Sequence, residues 1–131
     1  MSKDEIKINK KFQGVVVEGS KKGREIGFPT ANLNVKEDFE LAYGVYACKV
    51  RVEHGFYQGI LHYGPKLTFG EIIPLFEVHI LGLNRDIYGM VLEIELVSYI
   101  RGTMKFADEE KLQKQIQSDL EKAKQIFLNE N

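Results

Sequence analysis

Residues 44–62 read GVYACKVRVEHGFYQGILH, which is the pattern of two strands joined by a tight turn. Along residues 44–52 an apolar set of side chains alternates with a mixed set, which is typical of a strand with one buried face. The apolar set is Tyr46, Cys48, Val50 and Val52, and the mixed set is Val45, Ala47, Lys49 and Arg51. The tripeptide EHG at 53–55 predicts a hairpin turn, and residues 56–62 predict the returning strand.

Similar strand-like segments lie on both sides of this hairpin. Residues 13–18, 75–81 and 87–100 are rich in valine, isoleucine, leucine and aromatic side chains, and turn-forming residues separate them. Short strands at this spacing predict a closed or nearly closed antiparallel barrel.

The last 24 residues, 108–131, contain no glycine and no proline. Apolar side chains recur there every three or four positions, at Leu112, Ile116, Leu120, Ala123 and Phe127. This spacing predicts an amphipathic helix that packs against the strands, with Asp108 as its N-cap.

Composition bounds the class of protein. The chain has 131 residues, 44% of them hydrophobic, and a net charge of -1, which fits one globular domain. The single cysteine excludes a disulfide framework and a multi-cysteine metal site. A polar start and the lack of a long apolar run predict a cytoplasmic protein without a membrane partner. The near-neutral charge disfavours a dedicated nucleic-acid binder.

One segment, residues 19–34 (GSKKGREIGFPTANLN), does not resemble barrel scaffold. Its glycines allow close backbone approach to a ligand, and Lys21, Lys22 and Arg24 carry the charge that would attract an anion such as phosphate. The alternative is an exposed flexible loop, because glycine, serine and lysine are also common in loops. The spacing is not that of a Walker loop.

Polar side chains in two places could serve chemistry. Pro29 restrains the backbone, so in an extended segment Thr30 and Asn32 point the same way and could offer two oxygens to Mg²⁺. Alternatively, they only satisfy local backbone groups. Glu77 and His79 share one face of the strand predicted at 75–81, where a carboxylate taken alone is usually solvent-exposed.

The glycine-rich basic loop followed by GFPTAN at 27–32 resembles the signature of riboflavin kinases. Further blocks that resemble this family follow in order: GVYA at 44–47, YQGI at 57–60, FEVHIL at 76–81 and DIYG at 86–89. The resemblance covers about residues 12–128. It implies a mainly β fold, a six-stranded antiparallel Greek-key β-barrel with a C-terminal α-helix, and a single riboflavin kinase-like domain over residues 1–131.

The resemblance also implies a reaction, in which ATP and riboflavin give FMN and ADP with Mg²⁺ or Zn²⁺ as the metal. It makes Glu77 the catalytic base and Thr30 and Asn32 the metal ligands. The residues that it assigns to ATP are Gly19, Lys22, Arg24, Gly27, Thr30, His79, Asp86 and Tyr88. It assigns Arg101 and Phe106 to the flavin.

The sequence departs from the family after the central hairpin. Leu67 stands where the family has a proline, and Pro65 is an addition, so substrate geometry could differ. About eleven residues precede the strand predicted at 13–18, so we expect no FMN adenylyltransferase domain; a monomer would then supply FMN to a separate adenylyltransferase.

Two other hypotheses stay open. One is a non-catalytic flavin- or nucleotide-binding module with the same fold. The other is an oligonucleotide-binding barrel, although basic and aromatic residues do not interleave as such a barrel needs.

Overall fold

The computed structural model describes residues 6–17, 29–65, 70 and 73–130. The predicted ligand contacts Gly19, Lys22, Arg24 and Gly27, and the divergent residues 66–69, lie outside these ranges. The described residues form six strands and one helix. These are β1 (Ile6–Val17), β2 (Ala31–Asn34), β3 (Gly44–Val52), β4 (Gly55–Gly64), β5 (Leu75–Ile80), β6 (Val91–Arg101) and α1 (Glu109–Leu128).

The strands close into a barrel in the order β1-β2-β5-β4-β3-β6, and every neighbouring pair is antiparallel. Strands β3, β4 and β5 follow one another as a meander, and β6 returns to lie beside β3. This is a Greek key. The predicted mainly β, six-stranded Greek-key barrel with a C-terminal helix is therefore confirmed.

The hairpin of β3 and β4 is paired along its whole length, from Gly44 opposite Tyr63 to Val52 opposite Gly55. Its two-residue turn places Glu53 at a φ of 55°, the left-handed conformation that tight hairpin turns require. The alternation in the sequence sorts the side chains as predicted. Tyr46, Cys48, Val50 and Val52 belong to the core inside the barrel, and Val45 and Ala47 belong to a second apolar cluster on its outer face.

Helix α1 covers this second cluster. Asp108 caps the helix by accepting the backbone N–H of Lys111 at 2.9 Å, as predicted. Leu120, Ala123 and Phe127 are buried, and they belong to the same cluster as apolar side chains of three strands: Val45, Ala47, Ile60 and Val97. The helix therefore forms a wall along one side of the barrel.

Two predicted boundaries are wrong. Strand β1 begins at Ile6 rather than at residue 13, because its polar first half pairs with β6. Strand β6 begins at Val91 rather than at residue 87, because residues 87–90 form a turn in which Met90 donates to the Ile87 carbonyl at 3.1 Å. Among the described residues, no helix combines the length and the apolar character that crossing a membrane requires.

Candidate active site

The register of the sheet lines up five side chains across the outer face of the barrel. Asn32 of β2 lies opposite Glu77 of β5, and Glu77 lies opposite His62 of β4. His62 lies opposite Val45 of β3, which lies opposite Arg101 of β6. Directly opposed residues in antiparallel strands point to the same face. Candidate metal ligand, base and flavin contact therefore share one row, beside the wall formed by α1.

Glu77 is buried, with only 5% of its surface exposed, so it is not the solvent-facing carboxylate that its strand position alone would suggest. The Thr30 hydroxyl donates a hydrogen bond of 2.7 Å to Glu77 Oε2. This bond joins two residues that are 47 positions apart. The hydrogen bond between Thr30 and Glu77 thus links the segment leading into β2 with the centre of β5. By the family resemblance, Thr30 is a metal ligand and Glu77 is the catalytic base.

The predicted metal ligands offer only oxygens. The described residues hold no cluster of three or more histidine, cysteine, aspartate or glutamate side chains that could bind a metal by themselves. Thr30 contributes a hydroxyl, and Asn32, which is half-buried, contributes a carboxamide on the same face as Glu77. Neutral oxygen donors of this kind fit Mg²⁺, which keeps several waters and is usually completed by substrate phosphates.

His79, two residues beyond Glu77, contacts the backbone that leads into β2. Its Nδ1 lies 2.7 Å from the Pro29 carbonyl oxygen. A carbonyl can only accept, so Nδ1 carries the proton in this bond. His79 is expected from the family resemblance to contact ATP, whereas the structure places its imidazole against Pro29, the residue just before Thr30.

The turn after β5 carries Asp86 and Tyr88. The Asp86 carboxylate accepts the backbone N–H of Tyr88 at 3.0 Å, and the Tyr88 side chain is exposed. The turn is fastened to β1, since Gly89 donates to the Val16 carbonyl and Val16 donates to the Met90 carbonyl, both at 2.9 Å. Both predicted ATP contacts therefore lie beside the end of β1, where the chain enters the glycine-rich segment.

Arg101 makes contacts that the sequence does not reveal. Its Nε and one terminal nitrogen donate hydrogen bonds of 2.8 to 3.1 Å to the Asp119 carboxylate of α1. Its other terminal nitrogen donates to the Gly102 carbonyl. Gln115 donates a further bond of 3.0 Å to Asp119. The carboxylate is almost fully buried, and the pair ties α1 to β6 at the end of the row. Arg101, predicted to face the flavin, thus has its guanidinium held by the helix.

Phe106, the other predicted flavin contact, lies beside this ion pair. The Arg101 guanidinium carbon is 5.8 Å from the centre of the Phe106 ring, within reach of a cation–π contact.

His62 is the residue beside Glu77 that sequence reasoning missed. The signal that could have found it is the hairpin register, which sets residue 62 across from residue 77 once β4 and β5 are paired.

The chain matches known proteins over nearly its whole length. The sequence model of the riboflavin kinase family matches residues 7–127. The chain is 39% identical to a bifunctional riboflavin kinase/FMN adenylyltransferase of Haemophilus influenzae, over 87% of this chain and 37% of that protein. The chain therefore belongs to the riboflavin kinase family, and it spans little more than a third of that relative's length.

Two solved structures resemble it. A protein of Streptococcus pneumoniae described as a macrolide-efflux protein is 34% identical, with a TM-score of 0.79 over 87% of this chain and 38% of that one. A riboflavin kinase from Trypanosoma brucei is 21% identical, with a TM-score of 0.64 over 94% of this chain and 80% of that one. The second likeness supports the fold alone.

Proposed function

We propose that this chain transfers the γ-phosphoryl group of ATP to the 5′-hydroxyl of riboflavin, which gives FMN and ADP. The observation that carries the proposal is the buried Glu77 carboxylate, held by the Thr30 hydroxyl at 2.7 Å and set opposite Asn32. Membership of the riboflavin kinase family supports the choice of reaction.

In this reaction Glu77 is the general base. Phosphoryl transfer depends on positioning and on charge stabilisation, and the attacking hydroxyl must lose its proton to a group within hydrogen-bond reach. The Thr30 hydroxyl orients the carboxylate through Oε2, and burial keeps bulk water away from it. A carboxylate held in this way is suited to accept the proton of the ribityl hydroxyl.

Thr30 and Asn32 would hold the divalent cation, Mg²⁺ or Zn²⁺, and their oxygen donors favour Mg²⁺. When bound, the cation would neutralise charge on the ATP phosphates. Gly19, Lys22, Arg24 and Gly27 would surround those phosphates, and this assignment remains a prediction from the sequence. Asp86 and Tyr88 would also contact ATP. Their turn is hydrogen-bonded to Val16, near the end of β1 and just before the glycine-rich segment.

The flavin would lie along the row, beside α1. Glu77 and Arg101 are separated by three strand spacings, roughly 14 Å along the sheet at about 4.8 Å each. Riboflavin, which has a ribityl chain attached to a tricyclic ring, is long enough to span this distance. We place the 5′-hydroxyl at Glu77 and the ring near Phe106. Arg101, which Asp119 holds in place, would border the ring.

We further propose that the chain works as a monomer in the cytoplasm on free riboflavin and ATP, and that an FMN adenylyltransferase uses its product. No role in binding nucleic acid is proposed.

The test is FMN formation from riboflavin and ATP, followed by chromatography with fluorescence detection and repeated with Mg²⁺ and Zn²⁺. We expect FMN from the unaltered chain and little from Asn32→Ala. Replacing Asn34, an exposed residue at the end of β2, by alanine serves as the matched control and leaves the rate unchanged. Flavin binding, seen as fluorescence quenching, without FMN under any condition would instead favour the non-catalytic module.

A further inference from the structure

We propose that His79 is a positioning residue, which holds the Pro29–Thr30 backbone so that the Thr30 hydroxyl stays on Glu77. The inference deepens the proposed kinase function and rests on it for its kinetic part. It assigns His79 to the protein backbone rather than to the nucleotide.

The ladder between β2 and β5 is short. It pairs Leu33 with Phe76, Asn32 with Glu77 and Ala31 with Val78, and β2 begins at Ala31. The two residues before Ala31 are exposed and lie outside any strand. Backbone pairing therefore ends one residue short of Thr30, although Thr30 must be placed accurately to reach Glu77.

Two side chains of β5 continue the pairing beyond the end of the ladder. Glu77 accepts the Thr30 hydroxyl at 2.7 Å, and His79 donates from Nδ1 to the Pro29 carbonyl at 2.7 Å. Proline has no N–H to give to a strand, so its carbonyl is the group through which a neighbour can hold it. His79 and Glu77 thus grip adjacent residues from one face of β5.

The bond defines which ring nitrogen matters. Asparagine carries its amide nitrogen on Cγ, as histidine carries Nδ1, whereas glutamine places its amide one atom further out, nearer to the position of Nε2. His79→Asn should therefore keep the bond to Pro29, and His79→Gln and His79→Ala should lose it. A misplacement of about 1 Å at a reacting centre can lower a rate by about 100-fold.

The kinetic test measures kcat and KM for all three variants. We expect roughly a 10- to 100-fold fall in kcat for His79→Ala and His79→Gln, with the KM for riboflavin unchanged, and a rate within about 3-fold of the unaltered chain for His79→Asn. The control His54→Ala removes an exposed histidine of the β3–β4 turn and should change nothing. Equal rates for the asparagine and glutamine variants, or a rise in KM for ATP alone, would overturn the proposal.

A second measurement does not depend on activity. Long-range ¹H–¹⁵N correlation spectra of the unaltered chain, recorded well above the ordinary histidine pKa of about 6.5, report which ring nitrogen is protonated. The chain has three histidines, so the spectra of the single variants assign each signal. We expect His79 as the Nδ1–H tautomer, and an Nε2–H tautomer would contradict the bond. Absence of FMN from the unaltered chain would refute the kinase function, while this spectrum would still decide the His79–Pro29 contact.

Discussion

Removing the Asp119 carboxylate should loosen the attachment of α1 to the barrel. Asp119 is 1% exposed and accepts hydrogen bonds from Arg101 and Gln115. In Asp119→Ala the Arg101 guanidinium would lose its counter-charge while its side chain stays only 15% exposed. Breaking a buried pair on one side costs about 3–5 kcal/mol, and the residual exposure of Arg101 favours the lower end, about 3 kcal/mol. For a chain of this length that is a fall of about 10 °C in Tm.

Urea unfolding followed by circular dichroism measures this loss. The matched control is Glu110→Ala on the same helix, whose partner Lys114 and own side chain are both 76% exposed, so less than about 1 kcal/mol should be lost. The double replacement Arg101→Met with Asp119→Leu should recover most of the stability, because it leaves no unpaired charge. A loss below about 1 kcal/mol for Asp119→Ala would refute the view that this ion pair anchors the helix.

Three further outcomes follow from other contacts. Cys48 is fully buried and its pKa is raised by burial, so a thiol reagent should modify it only after unfolding; rapid labelling of the native chain would contradict its placement inside the barrel. Gly59→Ala would set a Cβ 2.6 Å from the His79 carbonyl oxygen, so we expect a loss of about 1–3 kcal/mol in urea unfolding, and an unchanged stability would argue against that close approach. Thr30→Val should lower kcat by roughly 10- to 100-fold while Thr30→Ser keeps most of it, and equal rates would show that the hydroxyl is dispensable.

The spacing of apolar residues along the sequence was sufficient to predict β3 and α1. The alternation in β3 gave its bounds and its buried face, and the spacing of apolar residues gave the buried side of α1. The first half of β1 was missed because it is polar and becomes a strand only by pairing with β6. Ile87 suggested strand because it is apolar, yet its burial comes from a turn packed on the core.

The residues of the site could be predicted from the sequence, but several of their partners could not. The family resemblance pointed to Thr30, Asn32 and Glu77, and the structure brings them together where the chain enters β2 beside β5. Sequence could not give the partners of Arg101 and His79, because Asp119 is 18 residues away on the helix and Pro29 is 50 residues away across the sheet. Such contacts depend on how the barrel closes, which no short stretch of sequence contains.

The most direct test of Glu77 as the catalytic base compares the unaltered chain with Glu77→Gln in the FMN-formation assay at saturating ATP and Mg²⁺. The substitution keeps size and burial but removes the group that accepts the proton, so we predict a fall in kcat of about 10²- to 10⁴-fold. Glu95→Gln, on β6 and opposite Lys49, is the matched control and should retain the full rate. A full rate for Glu77→Gln, or no FMN from the unaltered chain, would contradict the assignment of this row of residues as a phosphoryl-transfer site.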